Sequence, residues 1–386
     1  MAAALPLSKS GARLFAAERA PARLLLVFLR GGYDAASLLI PRATPFYRES
    51  RPNIAIADPE AGGEGAALAL DRDWALHPAL AATMQPLYEQ GQLAFIPFAG
   101  TDDLSRSHFE TQDGIELGLG DGAPRAFRSG FMNRLAAQLQ GSEPIAFTAQ
   151  LPLTFRGPVQ VPNVALDAAG RDGISERQRQ LITAMYQDTP LAERVREGFD
   201  VRGQVAREIG EQTAANRNAV TARGFEAQAR QLARLMRERY RLAFVDVGGW
   251  DTHVGQGNAT GYLANRLAEL GRGLSRFAVE SGPVWRDTVV VVVSEFGRTF
   301  RENGNRGTDH GHGTVYWVLG GSINGGRIVG EQVGVAAATL FQNRDYPVLN
   351  EYRALLGGLM MRVFGLDAAR IGEVFPGVAA RDLALV

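Results

Sequence analysis

The sequence of 386 residues has no cysteine. Disulfides, thiolate nucleophiles and cysteine-built zinc sites are therefore excluded, and the composition fits a protein that works outside the cytoplasm. It has no excess of either charge, with Lys+Arg and Asp+Glu both at 41. Nothing in that balance points to a nucleic-acid surface or an acidic membrane. No stretch is long and apolar enough to cross a bilayer. Histidine is scarce, at five copies. His108, His253, His310 and His312 stand in polar, Gly-rich or Ser-rich surroundings, whereas His77, in Leu76-His77-Pro78, reads as a capping or buried histidine.

What is present describes a globular chain: 46% hydrophobic and 21% charged residues, enough for one large α/β domain or two ordinary ones. Residues 1–22 read as a tail, Ala-rich and without a basic start; it is either the trailing end of an export signal or an ordinary frayed terminus. Residues 23–386 read as a single α/β domain. Leu24 to Leu29 is a continuous apolar run, as expected of a strand buried on both faces of a parallel sheet. Further strands are expected at Leu93 to Phe98, Leu242 to Val247, Thr288 to Val293 and Thr314 to Leu319. Helices are expected near Pro78 to Gln90, Phe109 to Leu117 and Glu351 to Phe364. Residues 171–240 also read as helical. The alternation of strands and helices predicts a mostly parallel central sheet flanked by helices.

Four of these strands run directly into glycine or serine and then an acidic residue. In open α/β sheets ligands bind beyond the carboxyl ends of the strands, so Asp34, Asp251 and Glu295 are expected to meet there. Carboxylates gathered in one crevice repel one another unless a cation lies among them. With His253, His310 and His312 the site offers oxygen and nitrogen ligands, which suits Zn²⁺ or Mn²⁺ best, with Ca²⁺ or Mg²⁺ as alternatives, as one or two ions. In an extended Asp251-Thr252-His253 the carboxylate and the imidazole point the same way. Asp309-His310-Gly311-His312-Gly313 gathers an Asp and two His in four residues, and one or two of them face elsewhere. Ser107, with Ser105 and His108 beside it, opens a helix where anions are favoured. It is a candidate nucleophile and equally an ordinary N-cap. Arg30, Arg106 and Arg298 lie beside these motifs; Arg298 is the best candidate to grip an anionic group. Trp250 reads as wall packing.

Together, Phe28-Leu29-Arg30-Gly31-Gly32-Tyr33-Asp34, Leu76-His77-Pro78-Ala79-Leu80, Ser105-Arg106-Ser107-His108-Phe109, Gly248-Gly249-Trp250-Asp251-Thr252-His253, Ser294-Glu295-Phe296-Gly297-Arg298-Thr299 and Thr308-Asp309-His310-Gly311-His312-Gly313 resemble the DUF1501 family. The likeness extends to Phe375-Pro376-Gly377, covering about residues 23 to 377. It implies a fold similar to the alkaline phosphatase/sulfatase superfamily and export to the periplasm or the medium, often by a twin-arginine signal; no Arg-Arg pair stands at the start of this chain. It also implies that Asp34 binds metal, that Ser107 or Ser105 is the nucleophile, and that Asp251, His253, Glu295, Asp309, His310 and His312 complete a two-metal site. The sequence departs from the superfamily in having no Cys/Ser-x-Pro-x-Arg context, and in having Ser294-Glu295 where an Asp-His pair is usual. The expected function is metal-dependent hydrolysis of a small phosphate or sulfate ester. The alternatives are a secreted metal-binding or scaffold protein without turnover and a metal-dependent carboxylic-ester hydrolase. Oligomeric state is not legible.

Overall fold

A computed structural model describes residues 21–120, 128–139, 141–148, 150–164, 182–187, 189–195 and 225–386. Its strands, in chain order, are β1 (Arg23–Leu29), β2 (Leu39–Pro41), β3 (Leu68–Ala69), β4 (Trp74–Leu76), β5 (Leu93–Gly100), β6 (Pro144–Phe147), β7 (Leu242–Val247), β8 (Thr288–Ser294), β9 (Thr314–Gly320), β10 (Arg327–Ile328) and β11 (Asn350–Glu351). Among the described residues, eight form one sheet in the order β10-β5-β9-β8-β1-β7-β6, with β11 also on β5; β2, β4 and β3 form a small separate sheet.

The apolar runs explain the layers. Along β1, Leu25, Val27 and Leu29 enter one core while Leu24, Leu26 and Phe28 enter the other, as the two-residue period of a strand requires. The first core is closed by the helices Phe225–Glu238 and Tyr262–Ser281, through Leu232, Met236, Leu267 and Leu274. The second is closed by Phe131–Gln138 and Tyr352–Phe364, through Phe131, Leu135, Leu355 and Leu359. Burying each such side chain is worth about 1.5–3 kcal/mol, so the apolar residues on both faces hold the layers together.

Strands β6, β7, β1 and β8 pair in parallel, and β5 runs the same way. The exception is β9, antiparallel to both β5 and β8. Its reversal places its first residue, Thr314, opposite Ala99 near the carboxyl end of β5. The histidine-rich loop before β9 thereby arrives at the edge where β1, β5, β7 and β8 end.

Three expectations are corrected or fall outside this description. The helix expected over Pro78 to Gln90 is two pieces, a 3₁₀ turn Pro78–Leu80 capped by His77 and a helix Met84–Glu89; proline at the first position of the turn fixes its start. Of the middle stretch expected to be helical, Phe225–Glu238 is a long helix, while 165–181 and 196–224 lie outside the described residues. So do residues 1–20 of the expected tail.

Candidate metal centre

Each chain segment at the carboxyl edge delivers its side chains for a local reason. His108 is the first residue of the helix His108–Leu117, whose N-cap is Ser107. Asp251 and His253 lie on the loop after β7. His310 lies before β9 in a loop that pairs with the segment after β8: Thr299 N–H donates to the Asp309 carbonyl, Gly311 N–H to Gly297 and Gly297 N–H to His312. This contact is so close that a Cβ on Gly311 would lie 2.5 Å from the Arg298 backbone. The same holds at Gly307, where a Cβ would meet the His253 backbone at 2.4 Å. Both positions therefore require glycine.

The result is a cluster of ring nitrogens. His310 Nε2 lies 2.9 Å from His108 Nε2 and 3.1 Å from His253 Nε2. It is 3.3 Å from Asp251 Oδ1, which is 2.9 Å from His253 Nε2. His108, Asp251 and His310 each offer a ligand atom within 4.8 Å of the other two.

The far side of each ring fixes its tautomer. His108 Nδ1 is 2.8 Å from Glu295 Oε1, His253 Nδ1 is 3.1 Å from Asp309 Oδ1, and His310 Nδ1 is 3.0 Å from the Arg106 carbonyl. Carboxylates and carbonyls only accept, so each Nδ1 carries the proton and donates it. The His310 Nε2 lone pair then faces those of His108 and His253, each at hydrogen-bonding distance, with no proton in either gap. That arrangement is repulsive unless a cation occupies the centre or two rings take a second proton. Imidazoles held by carboxylate or carbonyl partners, with the opposite nitrogen free, are the usual form of metal-binding histidine. The donor set fits a divalent cation.

Electrostatics agree with the bonding. The hydrogen bond to Glu295 raises the His108 pKa, whereas burial and the neighbouring His108 lower that of His310. Burial opposes the charge on Glu295, Asp251 and Asp309, yet all three are held below the usual carboxylate range: Glu295 by His108 and Gln112, Asp251 by Arg298, Asp309 by Asn303 and His253.

Several expected residues are directed elsewhere. Asp34 is not brought to the cluster. It is 1% exposed and receives both guanidinium arms of Arg51, at 2.5 and 2.9 Å, with Ser37 and Gln256 at 2.7 Å. Glu295 and Asp309, expected as ligands, are hydrogen-bonded to His108 Nδ1 and His253 Nδ1. Glu295 Oε1 also accepts from Gln112 and from the Gly31 amide, both at 2.8 Å. His312 packs its ring on Phe341, with centroids 5.0 Å apart, and has no side-chain hydrogen bond among the described residues. Burial, then Arg106, lowers its pKa.

Arg298, expected to grip substrate, is enclosed. It donates to Asp251 Oδ1 at 2.6 Å, to the hydroxyl and carbonyl of Thr308, and to the Gly31 carbonyl. Arg30 is spent on Asp246, Gln112 and Glu116, and the Arg106 side chain on Asp345 and Gln342. Arg106 nonetheless has a part in the site: its left-handed backbone, at φ 53°, aims the carbonyl at His310. Ser107 Oγ accepts a long 3.5 Å cap bond from the Glu110 amide, and Ser105 Oγ accepts from the Ser107 amide at 3.2 Å. Trp250 and His77 are buried.

Gln112 and Asn303, which donate to Glu295 and Asp309, and Arg51 and Gln256, which donate to Asp34, are partners that sequence reasoning missed. Only Gln112 left a trace, four residues after His108 on one helix face.

A family model described as "Protein of unknown function (DUF1501)" matches residues 21–375. No curated protein matches the chain. Among solved structures, one similar chain is a protein of the alkaline phosphatase superfamily from Vibrio parahaemolyticus, at 12% identity and TM-score 0.42, covering 94% of this chain and 72% of that one. Another is the lipoteichoic acid synthase LtaP from Listeria monocytogenes, at 8% identity and TM-score 0.39, covering 90% and 73%. A third is the phosphonate monoester hydrolase of Agrobacterium radiobacter, at 11% identity and TM-score 0.33, covering 89% and 74%. At such scores the likeness does not extend to substrate or reaction.

Proposed function

The chain belongs to the DUF1501 family, and from that premise and the geometry of the cluster we propose that it is a metal-dependent hydrolase of phosphate or sulfate esters. The observation that carries the reading is the convergence of three Nε2 lone pairs, each fixed from behind by an acceptor. His108, His253 and His310 through Nε2, and Asp251 through its carboxylate, would hold the cation. When bound, a divalent cation supplies Lewis-acid polarisation of an ester oxygen and favours ionisation of a nearby hydroxyl. Arg298 keeps the Asp251 carboxylate in place and charged. Glu295, Asp309 and the Arg106 carbonyl keep the three rings in one tautomer. Ser107 precedes the ligand His108 at a helix N-terminus, and among the described residues its hydroxyl is held only by a long cap bond, so it is the nucleophile of this reading. Export to the periplasm or the medium goes with it and rests on the family resemblance alone.

One observation favours a second reading. Arg298, Arg30 and Arg106 are all engaged by the protein itself, so none stands ready for an anionic substrate. That suits a metal-binding protein without turnover, or a hydrolase of neutral carboxylic esters. Assaying the metal-loaded protein on aryl phosphates, phosphodiesters, sulfates and carboxylic esters separates the three. The proposal expects turnover of a phosphate or sulfate ester, abolished in Ser107→Ala with metal retained and kept within a few-fold in Ser105→Ala. Metal-loaded protein inert toward every phosphate and sulfate ester would sink it.

A further inference from the structure

Resting on the reading of this cluster as a metal centre, we infer that it is mononuclear and selects nitrogen-preferring cations: one ion of the zinc, cobalt or nickel class, held by three imidazoles and one carboxylate, and not a pair of ions or a magnesium- or calcium-type ion. A count of free donors leads there. A second ion needs further carboxylates, and those at the strand ends are committed. Asp34 accepts four bonds, two from Arg51 and one each from Ser37 and Gln256, three of them on Oδ2, and the carboxylate is buried against the guanidinium. Glu295 Oε1 accepts from His108, Gln112 and Gly31, and its Oε2 from Ser294 at 3.0 Å. Asp309 Oδ1 is held by His253 and Asn303.

Charge points the same way. The guanidinium of Arg51 lies against Asp34, where a second cation would need that carboxylate, and the Arg298 guanidinium lies against Asp251 Oδ1. Both side chains are buried. A second dication packed among two enclosed guanidiniums would be repelled where screening is weak. Asp251 Oδ1, already accepting from Arg298, lies 2.9 Å from His253 Nε2, and Oδ2 lies 3.7 Å from His108 Nε2, so this carboxylate serves a single ion. Three Nε2 atoms and one oxygen match the ligand types and number that zinc takes, with expansion to five-coordinate leaving room for an ester oxygen. Calcium takes six to eight oxygens and magnesium an octahedron of them; manganese also favours oxygen, while imidazole suits zinc and its neighbours.

The test is calorimetric titration of the chelator-stripped full chain with zinc, beside Asp34→Asn. The expected result is one equivalent per chain for both proteins, with affinities within about threefold and no displacement by millimolar magnesium or calcium. Two equivalents, loss of zinc in Asp34→Asn, or saturation by magnesium or calcium would overturn the inference. Should the variant fail to fold, cobalt titration of the unaltered protein decides. Visible bands of a four-coordinate ion, complete at one equivalent, support it, whereas weak six-coordinate bands or a second phase overturn it. One zinc without turnover removes the hydrolase reading and leaves the count intact. Turnover with two ions does the reverse, and no uptake removes both.

Discussion

Two adjacent strand ends carry nearly the same four residues. After β1 come Gly31-Gly32-Tyr33-Asp34, and after β7, its parallel neighbour, come Gly248-Gly249-Trp250-Asp251. The aromatic residues pack edge to face, with ring centroids 5.9 Å apart. The two aspartates meet opposite fates. The Asp34 side chain is 1% exposed and locked to Arg51; that of Asp251 is 45% exposed and faces three imidazoles. The strand and its turn deliver a carboxylate to the edge, and the partner that arrives from elsewhere in the chain decides its use. Arg51, just past the short helix Phe46–Ser50, turns one aspartate into a structural ion pair. The loops carrying His253 and His310 turn the other into a candidate ligand.

The largest effect that would sharpen this contrast is on stability. Arg51→Met leaves Asp34 buried and uncompensated, and breaking such a pair costs about 3–5 kcal/mol. Urea unfolding should show that loss while zinc uptake stays at the wild-type level. A variant that loses zinc as completely as His253→Ala would show that the two aspartates are not separable.

Acid should strike the buried half next. His77 Nδ1 accepts from the Ala79 amide, so Nε2 carries the proton and donates to the Asn258 carbonyl at 3.0 Å. Burial lowers its pKa from 6.5 to about 4. Between those values the unfolded chain binds the extra proton and the folded one does not. The contribution is thus fully present above about pH 6.5 and is lost as pH falls toward 4, up to roughly 3 kcal/mol. Urea midpoints at pH 7 and pH 4.5 should differ less in His77→Asn than in the wild type; parallel profiles would remove His77 as the cause.

The smaller effect belongs to the exposed half. Glu295→Gln removes the charge behind His108, and changing such an orienting group costs about 10- to 100-fold in metal affinity. A competition titration against a chelator reads it. Unchanged affinity would mean that the His108 ring is oriented without Glu295.

These contrasts also show what the sequence could and could not reveal. The strands were legible because apolar runs such as Thr288 to Val293 have few alternatives to a doubly buried strand. The gathering of Asp251, His253 and His310 was legible because histidine is rare and stands next to glycine. The fate of Asp34 was not, because Arg51 lies in Glu49-Ser50-Arg51-Pro52, a stretch whose pattern announces no pairing. Glu295 follows its strand as a ligand would, and only its three donors on one oxygen reveal an orienting role. Arg298 looked like a clamp for an anion because its enclosure by Thr308 and Gly31 depends on two other loops. In sequence His108 stands with the serines before it, and nothing there brings it to His310, 202 positions away.

The central claim is that His108, His253, His310 and Asp251 hold a metal ion. Elemental analysis of protein purified without chelator, beside His310→Ala, tests it most directly. His310 Nε2 faces both other imidazoles, and losing one of four ligands should cost on the order of 3–4 kcal/mol, roughly 100- to 1000-fold in affinity. The account predicts close to one equivalent of a zinc-class metal in the wild type and little in the variant. Wild-type protein that binds no metal even when zinc is supplied, or a folded His310→Ala that retains its full equivalent, would contradict it.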